Sequence, residues 1–222
     1  MSKAIVRVYT DYKSPYAYVA KAPTYQLAES YDVELEWLPY TLRIAEYLGS
    51  VEDRSPHYWR KVRYAYMDAR RYANRQGLIL KGPERIYNGY YSNAGMLYSQ
   101  RNGFFRRYND IVFERFWKRE LDVDARQQIA DLISSLGGDP GGYVEFAEGP
   151  AREEHDRIID EAESIGVFGV PMFVFDGELF WGGDRLDLLC ERLEPLRKTG
   201  LPAPNPQDNE PLTVHRARAL KE

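Results

Sequence analysis

Cysteine is almost missing from this chain: Cys190 is the sole one among 222 residues. No intrachain disulfide and no Cys-x-x-Cys pair is therefore possible, which excludes a self-contained dithiol redox cycle. Cys190 stands in "DRLDLLCERLEPL", spaced from leucines as on one helix face, the setting of a small buried hydrophobe. Histidine is scarce too, and His57, His155 and His215 lie far apart with no cysteine or carboxylate at ligand spacing, so no metal site is expected. No run approaches the roughly 20 apolar residues of a membrane span. The opening "MSKAIVRVYTDYKSPY" lacks the apolar core of a signal peptide, which points to a cytoplasmic protein with no membrane partner. Excess positive charge is absent as well: the formal net charge is −4, and basic stretches such as "RRYNDIVFERFWKRE" are interleaved with acids, so no nucleic-acid partner is expected.

What is present suffices for a buried core, with 44% hydrophobic residues and no internal repeat. "AIVRVYTDY" alternates like a strand, "YAYVAKAPTYQLAESY" follows with helical spacing, and "DVELEWLPY" alternates again. Pro23 inside the helical run predicts a kink or a break in its ladder. These pieces make a β-α-β unit with parallel strands. From about residue 42 to 165 the pattern is almost wholly helical. "HYWRKVRYAYMDARRYANRQG" ends at Gly77, and "DVDARQQIADLISSLGG" has acids suited to a helix start. "MFVF" and "ELFW" then flank Asp176-Gly177, a strong hairpin signal, and a helix from Asp184 to Leu196 closes the pattern.

The fold class expected is α/β: a thioredoxin-like β-α-β and β-β-α fold split by a large all-helical insertion. Residues 1–41 and 166–200 would form the thioredoxin-like domain, residues 42–165 the insertion, and residues 201–222 an extended C-terminal tail.

Two junctions carry the chemistry. In "TDYKSPYAYVA", Ser14 stands at a helix N-cap with Pro15 behind it, an ordinary way to begin a helix. The same position gathers unpaired N–H groups and the positive end of the helix dipole, which stabilise an anion and lower the pKa of a thiol. In "GVFGVPMF", Pro171 stands just before a strand, and a cis Val170-Pro171 bond would turn the Val170 backbone outward to pair with an extended peptide.

"DYKSPYAYVA", the helical insertion and "GVFGVPMFVFDGELFWGGDRLDLL", in that order, resemble the 2-hydroxychromene-2-carboxylate isomerase branch of the DsbA-like superfamily, close to kappa-class glutathione transferases. The likeness spans about residues 4 to 196. It implies that Ser14 replaces a redox cysteine and, with its hydroxyl facing outward, donates to the sulfur of bound glutathione. It further implies that Val170, ahead of Pro171, pairs with the cysteinyl part. Gly183 and Asp184 would hold the γ-glutamyl end with Arg185 beside them, and Lys61 would neutralise a carboxylate. Tyr16 is the preferred substrate wall, with Tyr12 and Tyr90 as further candidates. The cofactor implied is glutathione, the substrate a small aromatic carboxylate, and the assembly a homodimer. The reaction implied is cis-trans isomerisation by reversible thiolate addition. A kappa-type glutathione transferase, a DsbA-like scaffold that binds peptide or thiol without redox turnover, and a protein that keeps only the fold are the alternatives. "LGSVEDRSP" lacks the asparagine, and Gly183 the side chain, that relatives use toward glutathione.

Overall fold

The computed structural model describes residues 3–44, 46 and 54–200. Strand β1 (Ala4–Thr10) leads into helix α1 (Pro15–Ser30) and strand β2 (Val33–Pro39). Among the described residues helices α2 (Pro56–Arg75), α3 (Tyr90–Arg101), α4 (Phe105–Trp117), α5 (Arg126–Ser135), α6 (Pro140–Glu148) and α7 (Pro150–Ser164) follow. Strands β3 (Met172–Phe175) and β4 (Glu178–Trp181) and helix α8 (Leu186–Leu193) complete the described chain. The sheet order is β2-β1-β3-β4, with β1 and β2 parallel, Ala4 opposite Val33 and Thr10 opposite Pro39. The β3–β4 hairpin is antiparallel, and β3 runs antiparallel to β1 with Val8 opposite Phe173. This is the thioredoxin-type arrangement, interrupted between β2 and β3 by helices.

Strand alternation divides the core. Val6, Val8, Phe173 and Phe180 point to one face and pack with Tyr25 and Leu27 of α1 and Leu186, Leu189 and Leu193 of α8. Tyr9, Met172 and Val174 point to the other and join Ile158, Ile159 and Ala162 of α7 in the larger cluster that fills the helical region. The hairpin turn has Asp176 and Gly177 both at positive φ, 50° and 79°, as a two-residue turn of this twist requires. Cys190 is buried in the smaller cluster, and burial pushes its thiol pKa up, away from a reactive thiolate. Among the described residues no helix is long and apolar enough to cross a membrane.

One local reading holds and two are corrected. Pro23 breaks the ladder of α1 as expected, while the helix runs on from Pro15 to Ser30. Proline removes the N–H that would reach Val19, and the freed Val19 carbonyl accepts instead from Gln76 Nε2 at 2.8 Å, just beyond the end of α2. Asp122 and Asp124 precede α5 rather than start it: they bind Arg85 at 3.0 and 2.7 Å, and Asp124 also accepts from the N–H groups of Asn88 and Gly89. The C-terminal helix is shorter than expected, because turns of 3-10 type at Gly183–Arg185 and Glu194–Leu196 flank α8. Helix α6 escaped the sequence reading because glycines crowd "LGGDPGG"; Asp139 caps it through Gly141 N–H at 2.9 Å, with Pro140 in the first position.

The Gln76–Val19 bond gives a first prediction. Gln76→Ala orphans a carbonyl in the part-buried contact between α1 and α2, and should lower the unfolding free energy in urea by about 1–3 kcal/mol. In a Pro23→Ala background the restored backbone N–H takes over that carbonyl, so the same substitution should cost clearly less. Equal costs in both backgrounds would remove this account of how α1 tolerates its proline.

Candidate functional site

The site is assembled from a turn, a loop and a second turn that are distant in sequence. After β1 the chain folds over Asp11, whose carbonyl accepts from Ser14 N–H at 3.0 Å. Ser14 has extended backbone angles and its Oγ accepts from Ala17 N–H at 3.2 Å, so it is the N-cap of α1 with Pro15 in the first position. Its hydroxyl donates to the Val170 carbonyl at 3.2 Å. The Val170-Pro171 bond is cis. The Pro171 carbonyl in turn accepts from Gly182 N–H at 2.9 Å, which ties in the Gly182–Arg185 turn. Ser14, Val170, Pro171, Gly183 and Asp184 are thereby brought to one end of α1.

The expected outward-facing hydroxyl is corrected by this geometry. Ser14 is only 3% exposed, and its donor is turned onto Val170, the acceptor available in a place poor in water. Among the described residues nothing accepts from the N–H groups of Val170, Gly183 or Asp184. Gly182 has a φ of 101°, open to glycine, and Gly183 lies so close to α1 that a Cβ would stand 3.0 Å from that of Ala20. The side chain missing from position 183 is thus traded for close packing. Asp184 and Arg185 are exposed and pair with each other at 2.7 Å.

Tyr16, one turn into α1, is half-buried and donates through its hydroxyl to Asp68 of α2 at 3.1 Å; burial, then Asp68, raises its pKa. Lys61 is not brought to Ser14 by any contact: it is exposed on α2, with Nζ 5.3 Å above the Tyr58 ring. Tyr12 and Tyr90 are no walls. Tyr12 is fully buried, edge-on to Phe113 at 4.8 Å, and Tyr90 is buried with its hydroxyl donated to the Ala147 carbonyl. Of "LGSVEDRSP", residues 48–53 lie outside the described residues, as does the tail from residue 201.

What sequence reasoning missed is Asp11 with Lys13, an acid and a base two residues apart in the turn before α1. Both are buried, at most 4% exposed, with Lys13 Nζ 3.3 Å from Asp11 Oδ2. The ammonium also donates to the carbonyls of Leu42 at 3.1 Å and Asn88 at 2.5 Å, while the carboxylate accepts from the N–H groups of Lys13 at 3.1 Å and Leu42 at 2.7 Å. No pattern in the sequence announces this pair; only the three-dimensional meeting of residues 42 and 88 creates it. Next to it, Asn93 Nδ2 donates to Thr41 Oγ1 at 2.7 Å, and Thr41 Oγ1 lies 2.8 Å from His155 Nε2. Asp156 lies 3.3 Å from Nδ1, which assigns the ring proton to that nitrogen and leaves Nε2 to accept from the threonine. Burial lowers the His155 pKa, against the pull of Asp156.

Residues 5–194 match the family model described as a DSBA-like thioredoxin domain. The chain belongs to the DsbA-like thioredoxin family. A 2-hydroxychromene-2-carboxylate isomerase of Pseudomonas putida is 29% identical over 187 residues, covering 83% of this chain and 92% of that protein. The crystal structure of a 2-hydroxychromene-2-carboxylate isomerase superposes with a TM-score of 0.72 at 29% identity, over 86% of this chain and 95% of that one. A probable DsbA oxidoreductase from Streptomyces coelicolor shares the fold with a TM-score of 0.70 at 18% identity, over 90% and 93% of the two chains. Within this family the present chain has Ser14 and Ala17 at the start of α1, where a dithiol would need two sulfurs.

Two predictions come from the buried groups. Lys13→Met leaves the Asp11 carboxylate buried without its cation and should cost about 3–5 kcal/mol of stability, part of which Asp11→Asn in the same chain should return. A loss under 1 kcal/mol, about the scale of exposed pairs, would mean the pair does not anchor the turn. For His155, the unfolded chain binds a proton near pH 6.5, the ordinary value, while the folded chain resists until lower pH. Its contribution is therefore complete above pH 6.5 and is lost as pH falls toward the folded value, at a slope of at most about 1.4 kcal/mol per pH unit. Melting temperatures measured from pH 7.5 to 5 should fall less steeply in His155→Gln than in the unmodified chain, and parallel profiles would refute the assignment.

Proposed function

We propose that this chain is a glutathione-dependent isomerase of the 2-hydroxychromene-2-carboxylate type, interconverting forms of a small aromatic 2-oxo acid. The observation that carries the reading is the Ser14 hydroxyl at the amino end of α1, 3.2 Å from the Val170 carbonyl, in a chain whose one thiol is buried elsewhere. The likeness to isomerases of that name, 26% to 29% identical over more than four fifths of the chain, supports the reaction class. The homodimer and the cytoplasmic location belong to the same reading.

The residues present fit glutathione, which has an amide on each side of its thiol and a carboxylate at each end. Bound there, it supplies a thiolate that adds reversibly to a conjugated double bond and leaves a single bond free to rotate. Ser14 contributes by turning its hydroxyl from Val170 to the ligand sulfur, where the positive end of the α1 dipole favours the anion as well. That turn frees the Val170 carbonyl to accept a ligand N–H while the unused Val170 N–H donates to a ligand carbonyl. The N–H groups of Gly183 and Asp184 would hold the α-carboxylate, and Asp184 would accept from the ligand ammonium in place of Arg185. Lys61 must leave its place over Tyr58 to reach a carboxylate and so contributes least. Tyr16, fixed by Asp68, gives an apolar ring beside the helix start.

One observation favours the second reading, a non-redox scaffold for peptide or thiol. Ser14 and Asp184 already have partners within the chain. Turnover separates the two. The isomerase reading expects Ser14→Ala to lower glutathione-dependent turnover of 2-hydroxychromene-2-carboxylate by about 100-fold or more, while the lost cap costs about 1 kcal/mol in unfolding. Calorimetry should give heat with millimolar glutathione, and less with Asp184→Ala. An unmodified protein that neither binds glutathione nor turns over the chromene acid would end the isomerase reading.

A further inference from the structure

Two large aromatic rings that the site has not yet used stand at its rim. Phe168 is 62% exposed and Trp181 54% exposed, and their rings meet at 4.8 Å between centroids and 62° between planes. Scattered surface aromatics are ordinary, but two that spend their apolar area on each other in open water form a patch with a cost. Both are carried by the backbone of the site itself. Phe168 stands two residues before Val170, so their Cα atoms are at most about 7.6 Å apart. Trp181, opposite Met172 at the end of the hairpin, directly precedes Gly182, whose N–H holds the Pro171 carbonyl. The indole lies against Gly169: a Cβ there would stand 3.0 Å from Nε1, so the glycine is what lets the ring approach the loop that carries Val170. Among the described residues the indole N–H has no acceptor, leaving a donor at the edge of an apolar surface.

We infer that Phe168 and Trp181 form the aryl-binding wall of the site, taking the planar ring of an aromatic carboxylic acid, with the Trp181 N–H available to an oxygen of that ligand. The identity of the ring rests on the isomerase reading; the wall rests on the exposed pair and its attachment to both site segments. Tyr16, whose hydroxyl is already held by Asp68, then closes the α1 side rather than serving alone. A ring laid on the pair covers apolar area that the free protein leaves wet, the usual source of affinity for aromatic ligands.

Chromone-2-carboxylate, a bicyclic aromatic acid, serves as the binding probe, titrated by calorimetry without glutathione into the full chain and its variants. Phe168→Ala and Trp181→Ala should each weaken binding by about tenfold, while Trp181→Phe should keep most of it, since a ring remains. Melting curves confirm that these exposed substitutions leave the fold intact. Unchanged affinity in both alanine variants, or no binding by the unmodified chain at millimolar probe, overturns the inference. So does a Trp181→Ala variant that splits a dimer in sedimentation while its affinity stays unchanged, because the patch then belongs to a second copy. Probe binding that depends on the pair, in a chain without glutathione-dependent turnover, would sink the isomerase reading and leave the wall standing. Turnover with an unchanged KM in both alanine variants would do the reverse.

Discussion

The buried contact between Lys13 and Asp11 is the constraint on which the rest of the site depends. A charge pair in the interior is tolerated only when its remaining hydrogen-bonding capacity is filled, and here both partners are filled by backbone from three places in the chain. Leu42 gives both its N–H and its carbonyl, so the exit from β2 is fixed to the exit from β1. Asn88 gives a carbonyl, and its own N–H is held by Asp124, which Arg85 holds in turn. The carboxyl ends of the two parallel strands and the entry to α3 are thereby tied together at the turn whose Asp11 carbonyl holds the Ser14 N–H. A hydroxyl required at one place to within a fraction of an ångström needs such a support, because a loop end free to move would let the N-cap find its partners in several ways.

On that support the site is built largely from backbone. Gly182 and Gly183 allow a tight turn and a close approach to α1, and the loop before β3 presents Val170 to the same point. Backbone recognition suits a ligand that is itself peptide-like, since it reads amide direction rather than side-chain identity. Specificity then falls to the few side chains at the edge, and the two exposed rings and Tyr16 are apolar where the Asp184–Arg185 pair is charged. A molecule with an amide-flanked polar part and a flat apolar part fits that division better than either alone.

Much of this was legible in the sequence, and the reasons are local. Alternating β-branched residues in "AIVRV", the Asp-Gly hairpin and the Ser-Pro cap are governed by neighbours one to four residues away, so the strands, the hairpin and the start of α1 could be read without a structure. The glycines and Pro171 likewise marked their turns. What could not be read depends on partners dozens of residues away. Pro23 announces a gap in the ladder of α1, but nothing in "YAYVAKAPTYQ" names Gln76 as the donor for Val19, and nothing near Lys13 names Leu42 and Asn88 as its acceptors. The inward turn of the Ser14 hydroxyl has the same origin, since its acceptor lies 156 positions along the chain. Lys61 shows the reverse case: its place on one helix could be read from spacing, while its position over the Tyr58 ring could not.

The self-pairing of Ser14 with Val170 has a further consequence for selectivity. In the free protein one hydroxyl and one carbonyl satisfy each other, so a ligand that offers only a sulfur takes the hydroxyl and leaves the carbonyl orphaned in a buried place. The net gain of a hydrogen bond is about 1 kcal/mol, whereas an orphaned buried group costs about 1–3 kcal/mol, so a bare thiol comes out even or worse. A ligand that brings a thiol and an adjacent amide N–H replaces both partners at once, and one with a carbonyl beyond also meets the unused Val170 N–H. In the proposed reading the pairing would discriminate against small thiols that lack a peptide bond, through the chain's own hydrogen bonds rather than through any clash.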